Sequence, residues 1–275
     1  LTTTVLKTIA SMCGICGKIH HDPEHPADPA LIRRMCRTLA HRGPDDEGVR
    51  AQGRVGLGHR RLSILDLSPA GRQPMANEDG SLHLILNGEI YNYRELREEL
   101  AQKGHRFGSN TDTETVIHLY EEEGTDCLRK LRGMFAFALW DSRSQTLFMA
   151  RDRLGKKPLF YGMTAEGLVF ASELRALLCD AAVARDIDPV ALHQYLTYQY
   201  VPSPRTIFSA IKKLPPGHYA VYRDGALSIR RYWSLSYRNK LVYPSLQQYR
   251  EHFLDVFREA VRIRLRSDVP LGAFL

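Results

Sequence analysis

Between Met134 and Phe170 the chain breaks into four short apolar segments, 134–140, 146–150, 158–162 and 168–170, each cut off by a turn. Short strands between turns are the signature of an antiparallel sheet. More strands are expected on either side. Val55 and Leu57 alternate into Gly58-His59-Arg60-Arg61, residues 62–67 continue as an apolar strand, and Leu82, Leu84 and Leu86 share one face of another. Residues 214–222 lead into a hairpin with Asp224-Gly225 at its turn.

Helices fall between these strands. Asp28-Pro29 is an N-cap followed by proline at the first helical position, and Leu31, Ile32, Met35, Cys36 and Leu39 then form one apolar stripe, with Cys36 on the buried side. Residues 93–103 form a helix ending at Gly104. Thr111-Asp112-Thr113-Glu114 is a capping box that opens a helix closing at Gly124, and Asp188-Pro189 caps another. Helices interspersed with antiparallel strands predict an α+β sandwich of layered sheets.

Past Trp233 the composition turns polar to Tyr243, as in a linker, and residues 246–266 read as one long amphipathic helix. Apolar residues 271–275 then suggest a buried strand, so helix and strand together open a second, α/β domain. With leucine at both ends, Leu1 and Leu275, the chain reads as a piece of a longer reading frame. Residues 1–12 are expected to be a leader or a start-site artefact, 13–230 the main domain, 231–245 the linker and 246–275 the opening of the second domain.

The net charge of +7 and the cluster Arg258, Arg262, Arg264 and Arg266 raise nucleic-acid binding. No recognition motif accompanies the charge, and these arginines alternate with Val256, Phe257, Val261, Ile263 and Leu265 at helical spacing, which predicts a solvated face over a buried one. No apolar run approaches the ~20 residues of a membrane helix. Without a secretory signal or a disulfide framework among five cysteines, the expected compartment is the cytoplasm.

Chemistry concentrates at Met12-Cys13-Gly14-Ile15-Cys16-Gly17. A thiol with a reference pKa of about 8.5 is mostly protonated at neutral pH and needs a base. If Met12 is removed, the α-amino group of Cys13 titrates near ~8 and supplies that base from the same residue. The pair Cys13 and Cys16 also fits a thiol oxidoreductase or half of a zinc site. Neither has its context: a strand and Pro-rich turn follow instead of a helix, and Cys36, Cys127 and Cys179 are isolated.

Six motifs in order are His41-Arg42-Gly43-Pro44-Asp45, His59-Arg60-Arg61-Leu62-Ser63-Ile64, Asn87-Gly88-Glu89-Ile90-Tyr91-Asn92, Gly133-Met134-Phe135-Ala136-Phe137-Ala138, Arg151-Asp152-Arg153-Leu154-Gly155 and the Met12-Cys13 segment before them. Together they resemble the glutamine-hydrolysing asparagine synthetases, from Met12 to Leu275. The resemblance implies an N-terminal-nucleophile hydrolase fold, a four-layer αββα sandwich of antiparallel sheets, followed by the start of an α/β synthetase domain. It implies that Cys13 attacks the side-chain amide of glutamine, releases ammonia through a glutamyl thioester, and that the ammonia passes to an adenylated aspartate in the C-terminal part.

The same resemblance assigns the oxyanion hole to the Asn87 amide and the Gly88 N–H, and the substrate carboxylate to Arg61. Glu89 and Asp112 take the amino end, and the backbone of Leu62, Ser63, Ile64 and Leu65 lines the pocket. Implied partners are glutamine, with aspartate and ATP with Mg in the longer enzyme, and a homodimer is compatible with it. No metal is expected in this stretch. Leu275 matches a residue that touches the nucleotide, and the phosphate loop, Ser-Gly-Gly-x-Asp-Ser, would follow it. Three alternatives remain: an amidotransferase for another carboxylate, one making glucosamine phosphate or phosphoribosylamine, and a catalytically silent module of the same fold.

Overall fold

The computed structural model describes residues 12–238 and 240–272. Twelve strands make two antiparallel sheets. The first contains β1 (Gly14–His20), β2 (Asp46–Gln52), β3 (Val55–Arg61), β8 (Phe160–Met163), β9 (Gly167–Ala171) and β10 (Ile211–Lys213), in the order β10-β8-β9-β1-β3-β2. The second contains β4 (Met75–Ala76), β5 (Leu82–Ile90), β6 (Gly133–Asp141), β7 (Thr146–Arg151), β11 (His218–Arg223) and β12 (Ala226–Arg231), in the order β12-β11-β7-β6-β5-β4. The four segments between Met134 and Phe170 are therefore all strands, as their spacing predicts.

Period-two alternation assigns each strand face to a different layer. On β5 and β6, Leu84, Leu86, Phe135, Phe137 and Leu139 pack outward beneath α2 (Tyr93–Gln102) and α3 (Asp112–Glu123). Ile85, Ala136 and Ala138 face the other sheet, where they meet Ile15, Leu57 and Phe170. Both faces are buried, so the strands read as continuous apolar runs. Outside the first sheet, α1 (Pro29–Thr38) and α4 (Leu174–Leu177) pack over Cys16, Val169 and Ala171. Helix, sheet, sheet, helix is the expected αββα stack. At about 1.5–3 kcal/mol per fully buried large apolar side chain, the inter-sheet core and the two cores beneath the helices together supply the main favourable term of folding.

Local signals explain the helix starts. Asp28 accepts the Ala30 N–H at 2.7 Å ahead of α1, whose stripe Leu31, Ile32, Met35 and Cys36 is buried. Thr111 accepts the Glu114 N–H at 3.3 Å, but the reciprocal half of the capping box is absent. The Glu114 carboxylate instead takes the N–H groups of Gly108 and Ser109, at 2.7 and 2.8 Å, and so ties down the preceding loop. Asp188 caps α5 (Pro189–Tyr198) through Val190 and Ala191.

Two expectations need correction. Residues 62–67 are a loop, because the Arg61 guanidinium draws in the backbone carbonyls of Leu65, Asp66 and Ser68, which bends the chain around one side chain. Helix α6 (Leu246–Arg262) forms, but its apolar side is not buried: Phe253, Val256 and Phe257 are each more than half exposed. Its sequence is amphipathic, yet no element among the described residues covers it. Residues 266–272 are irregular, with Leu271 55% exposed, and residues 273–275, the greater part of the expected strand 271–275, lie outside the described residues.

That last segment is nonetheless anchored. Arg266 pairs with Glu95 and donates to the Tyr91 carbonyl, and Arg264 lies over the Tyr91 ring at 4.8 Å. Asp268 clasps the 62–67 loop from both sides of its own peptide: its N–H donates to the Ile64 carbonyl at 2.9 Å, and its carboxylate accepts the Asp66 N–H at 2.8 Å. No helix among the described residues is long and apolar enough to cross a membrane.

Candidate active site

Cys13 sits immediately before β1, held by groups from three other elements. Arg42 donates from Nε to the Cys13 carbonyl at 3.1 Å and pairs with Glu173 at 3.0 Å. Two residues on, Ile15 donates to Ser172 Oγ at 3.0 Å and accepts the Ser172 N–H at 2.9 Å. The Leu62 N–H points at Cys13 Sγ from 3.4 Å. Burial pushes the thiol above its ordinary value, while the Leu62 N–H, Lys157 and Arg61 pull the other way without overcoming it. At neutral pH this is a thiol, and its attack needs a base.

Cys16 is unrelated to this chemistry. In a strand, residues three apart point to opposite faces, so Cys16 faces away into the layer beneath α1, fully buried with its Sγ 3.6 Å from Cys36 Sγ. All five cysteines are free. The redox and zinc readings of Cys13-x-x-Cys16 both fail on this alternation.

A cavity of about 190 Å³ opens beside Cys13. Its wall includes Arg61, Leu62, Ile64 and Leu65 from the loop and Asn87, Gly88 and Glu89 from the end of β5, with Asp112 at the start of α3. Ser63 is not among the lining residues, its N–H being turned to Asp45 Oδ2 at 3.0 Å. Leu275 lies outside the described residues, as do 1–11.

Groups of opposite sign stand on the cavity wall. Three N–H bonds of Arg61 go to loop carbonyls, and its fork lies at the cavity wall, only 6% exposed. Asp112 is 5% exposed and accepts the Ile90 N–H at 2.7 Å. Burial, partly countered by that N–H and further reinforced by Glu89, pushes its carboxyl up to about 7. Glu89 is also raised by burial, with Lys157 opposing. An enclosed carboxylate at this price is poised for a cation.

Gly88 has φ of +151°, and a Cβ there would stand 2.1 Å from the Met134 carbonyl oxygen. Only glycine brings this N–H so close to β6. Asn87 is completely buried; its Nδ2 reaches Ser172 Oγ at 3.5 Å while Oδ1 has no partner. The Ser172 oxygen already accepts from Ile15, so its own proton is free. Turning the amide end for end satisfies Oδ1 with that hydroxyl and frees Nδ2.

Several residues that sequence reasoning passed over complete the wall. Lys157 is 3% exposed, lines the cavity and touches Met12 Sδ. It is delivered by Asp152, whose carboxylate accepts four N–H groups, from Phe135, Leu154, Lys156 and Lys157. Arg151 braces the same turn through the carbonyls of Gly155, Lys157 and Leu214. The motif Arg151-Asp152-Arg153-Leu154-Gly155 thus shapes a loop, and its signal for Lys157 is the position two residues further on. Gln73 accepts the Leu86 N–H at 2.6 Å and donates to Thr113, joining β5 to α3 behind the cavity. In the motif at 41–45, Gly43 packs so closely on Arg60 that a Cβ would lie 2.3 Å from its carbonyl carbon.

Comparison with known proteins places this geometry. The chain is 39% identical over 267 residues to asparagine synthetase [glutamine-hydrolyzing] 1 of Bacillus subtilis, covering 96% of this chain and 42% of that protein. It is 38% identical to amidase chry2 of Gibberella zeae, covering 96% of this chain and 41% of the relative. The chain thus spans less than half the length of either. Among solved structures, glutamine phosphoribosylpyrophosphate amidotransferase from B. subtilis superposes over 80% of this chain and 49% of its own, with a TM-score of 0.61 at 21% identity, a likeness of fold. The Glutamine amidotransferase domain family matches residues 12–233, which takes in both sheets and every described wall of the cavity, and the chain belongs to that family.

Proposed function

We propose that this chain is the glutamine-hydrolysing part of an ATP-dependent asparagine synthetase, with Cys13 as N-terminal nucleophile. The observation that carries the reading is one cavity whose wall carries a protonated thiol, a buried guanidinium and a buried carboxyl. A free amino acid carries a carboxylate and an ammonium, and Arg61 and Asp112 complement them. Arg61 grips the carboxylate with its remaining N–H donors, and Asp112, with Glu89 beside it, takes the ammonium. The substrate amide then extends toward Cys13.

With the residues before Cys13 removed, its α-amino group takes the thiol proton as Sγ attacks the amide carbon. The oxyanion is met by the Gly88 N–H and by Asn87 Nδ2 in its turned orientation. Such a donor is worth about 3–4 kcal/mol. The ammonium of Cys13 returns its proton to the leaving nitrogen, ammonia departs, and a glutamyl thioester remains. Water attacks that thioester with the same amine as base, releasing glutamate and the thiol.

Residues 13–230 form the glutaminase domain, 231–245 the linker and 246–275 the opening of the synthetase domain, where ammonia meets a carboxylate activated at the expense of ATP with Mg. Leu275 matches a residue of the nucleotide site, and no step of the glutaminase chemistry runs through ATP. Aspartate as acceptor follows the naming of the Bacillus relative. Another carboxylate is the second reading, because the equally similar Gibberella protein is named an amidase. Soluble substrates suit a cytoplasmic enzyme, and a homodimer is compatible with the exposed side of α6. The test is glutamate release by protein beginning at Cys13, checked by intact mass. Equal activity with residues 1–12 still attached would sink the mechanism.

A further inference from the structure

Away from the cavity, α2 and α3 are joined by a cluster of ligating atoms that the glutaminase chemistry does not use. His118 and Glu121 stand three residues apart on one face of α3, and His105 comes from the turn after α2, its N–H bonded to the Leu100 carbonyl at 3.1 Å. None of the three lines the cavity. His118 Nδ1 is 2.8 Å from Glu121 Oε2 and 3.2 Å from His105 Nδ1, and His105 Nδ1 is 3.6 Å from that same Glu121 oxygen. A tetrahedral ion with ligands at about 2.0–2.1 Å holds their donor atoms about 3.4 Å apart. The three edges of this triangle straddle that value.

The surroundings orient all three groups inward. His105 Nε2 meets Glu122 Oε1 at 3.1 Å, and Lys103 holds that glutamate through its other oxygen at 2.7 Å. Glu121 Oε1 accepts from Asn77 at 2.8 Å, which leaves Oε2 for the cluster. His118 Nε2 is buried without a hydrogen-bond partner, with carboxylate oxygens of Glu78 and Glu114 at 3.9 Å. On His105 the Glu122 carboxylate keeps the proton on the outer nitrogen and turns the Nδ1 lone pair toward a metal, and with its proton on the unpartnered Nε2 His118 presents Nδ1 in the same way. Two such lone pairs and a carboxylate oxygen then converge. One proton satisfies one edge of the triangle; a divalent cation satisfies all three. Side-chain exposure of 1% at His118, 16% at His105 and 21% at Glu121 leaves an approach from solvent past the last two.

We propose that His105, His118 and Glu121 form a binding site for a divalent transition metal of the zinc class, which crosslinks the turn after α2 to α3. Two imidazoles and a carboxylate are a donor set that zinc and cobalt favour over magnesium or calcium.

The test is titration of the metal-stripped full chain with Co²⁺ and, by competition, Zn²⁺. The expected result is one equivalent bound, visible d–d bands of a four-coordinate site without a thiolate charge-transfer band, and a raised Tm. His105→Ala and Glu121→Gln should each weaken binding at least ~100-fold, and Glu122→Gln by about 10-fold. His105 and Glu121 are partly exposed, so these variants should keep the metal-free Tm, which separates lost ligation from lost folding. Absence of binding at millimolar metal, binding that survives both ligand variants, or a thiolate band would overturn the proposal.

Discussion

Cys13 and Asp112 stand on the wall of one cavity and meet the same physics, yet burial makes them need opposite things. Both are pushed toward the protonated form by desolvation. For the thiol this means that the nucleophile must be unmasked by a base during attack, so its protonation belongs to the rate. For the carboxyl it means that a cation must arrive before the charge is comfortable, so its protonation belongs to binding. Desolvation is one cause with two readouts, and kinetics can tell them apart.

The largest effect should come at the thiol. Cys13→Ala should lower glutamate release on the order of 10⁴- to 10⁶-fold while calorimetry still detects glutamine binding, because the grip at Arg61 and Asp112 is untouched. Loss of binding together with loss of rate would break the division between the two ends. Asn87→Ala comes next, with kcat down about 10²- to 10³-fold and KM little changed.

Asp112→Asn should act mainly on KM, raising it about 10- to 100-fold, the cost of losing a charged hydrogen bond. Its pH dependence is the sharper test. In the wild type kcat/KM should rise about tenfold per unit below pH 7 as the carboxylate forms, and that limb should vanish in the variant. Stability without glutamine should move the other way. A folded pKa of about 7 against an ordinary 3.8 means the protein loses stability as pH rises from about 4 to about 7. The variant escapes this, so by chemical denaturation it should exceed the wild type at pH 8 by up to about 4 kcal/mol, and the gap should close below pH 4.

The smallest effect should be that of Lys157→Met. Lys157 lowers the Cys13 pKa, so its loss should raise the pH midpoint of thiol alkylation by less than about one unit and slow turnover no more than ~10-fold. An unchanged midpoint would show that Lys157 serves the wall and not the thiol.

How far the sequence could be read depended on whether each signal was answered locally. The cap at Asp28 and the stripe from Leu31 to Leu39 were legible because the strands they pack on are strong and close. The apolar run at 62–67 was misleading, since nothing in its own pattern tells that Arg61 will gather its carbonyls. The stripe of α6 is as regular as that of α1, yet an amphipathic pattern states a demand for a partner and not where the partner is. At the site, motif order gave Cys13, Arg61, Asn87, Gly88, Glu89 and Asp112 as one constellation, and the fold puts all of them around one cavity. Lys157 and Ser172 escaped because a lysine or serine has no address until Asp152 folds one loop and β9 delivers the other.

The clasp of Asp268 on the 62–67 loop ties glutamine capture to a segment of chain some two hundred residues away. Ile64 and Leu65 line the cavity, so the loop that Asp268 holds is part of its wall, and of the glutamine site under the proposed function. By linkage, any event that pulls on residues 264–268 and changes the affinity of the wall for glutamine must be felt in return by the same factor when glutamine binds. One short peptide thereby carries news in both directions, and replacing the Asp268 side chain would cut its bond to Asp66 and leave the backbone bond to Ile64 as the remaining tie.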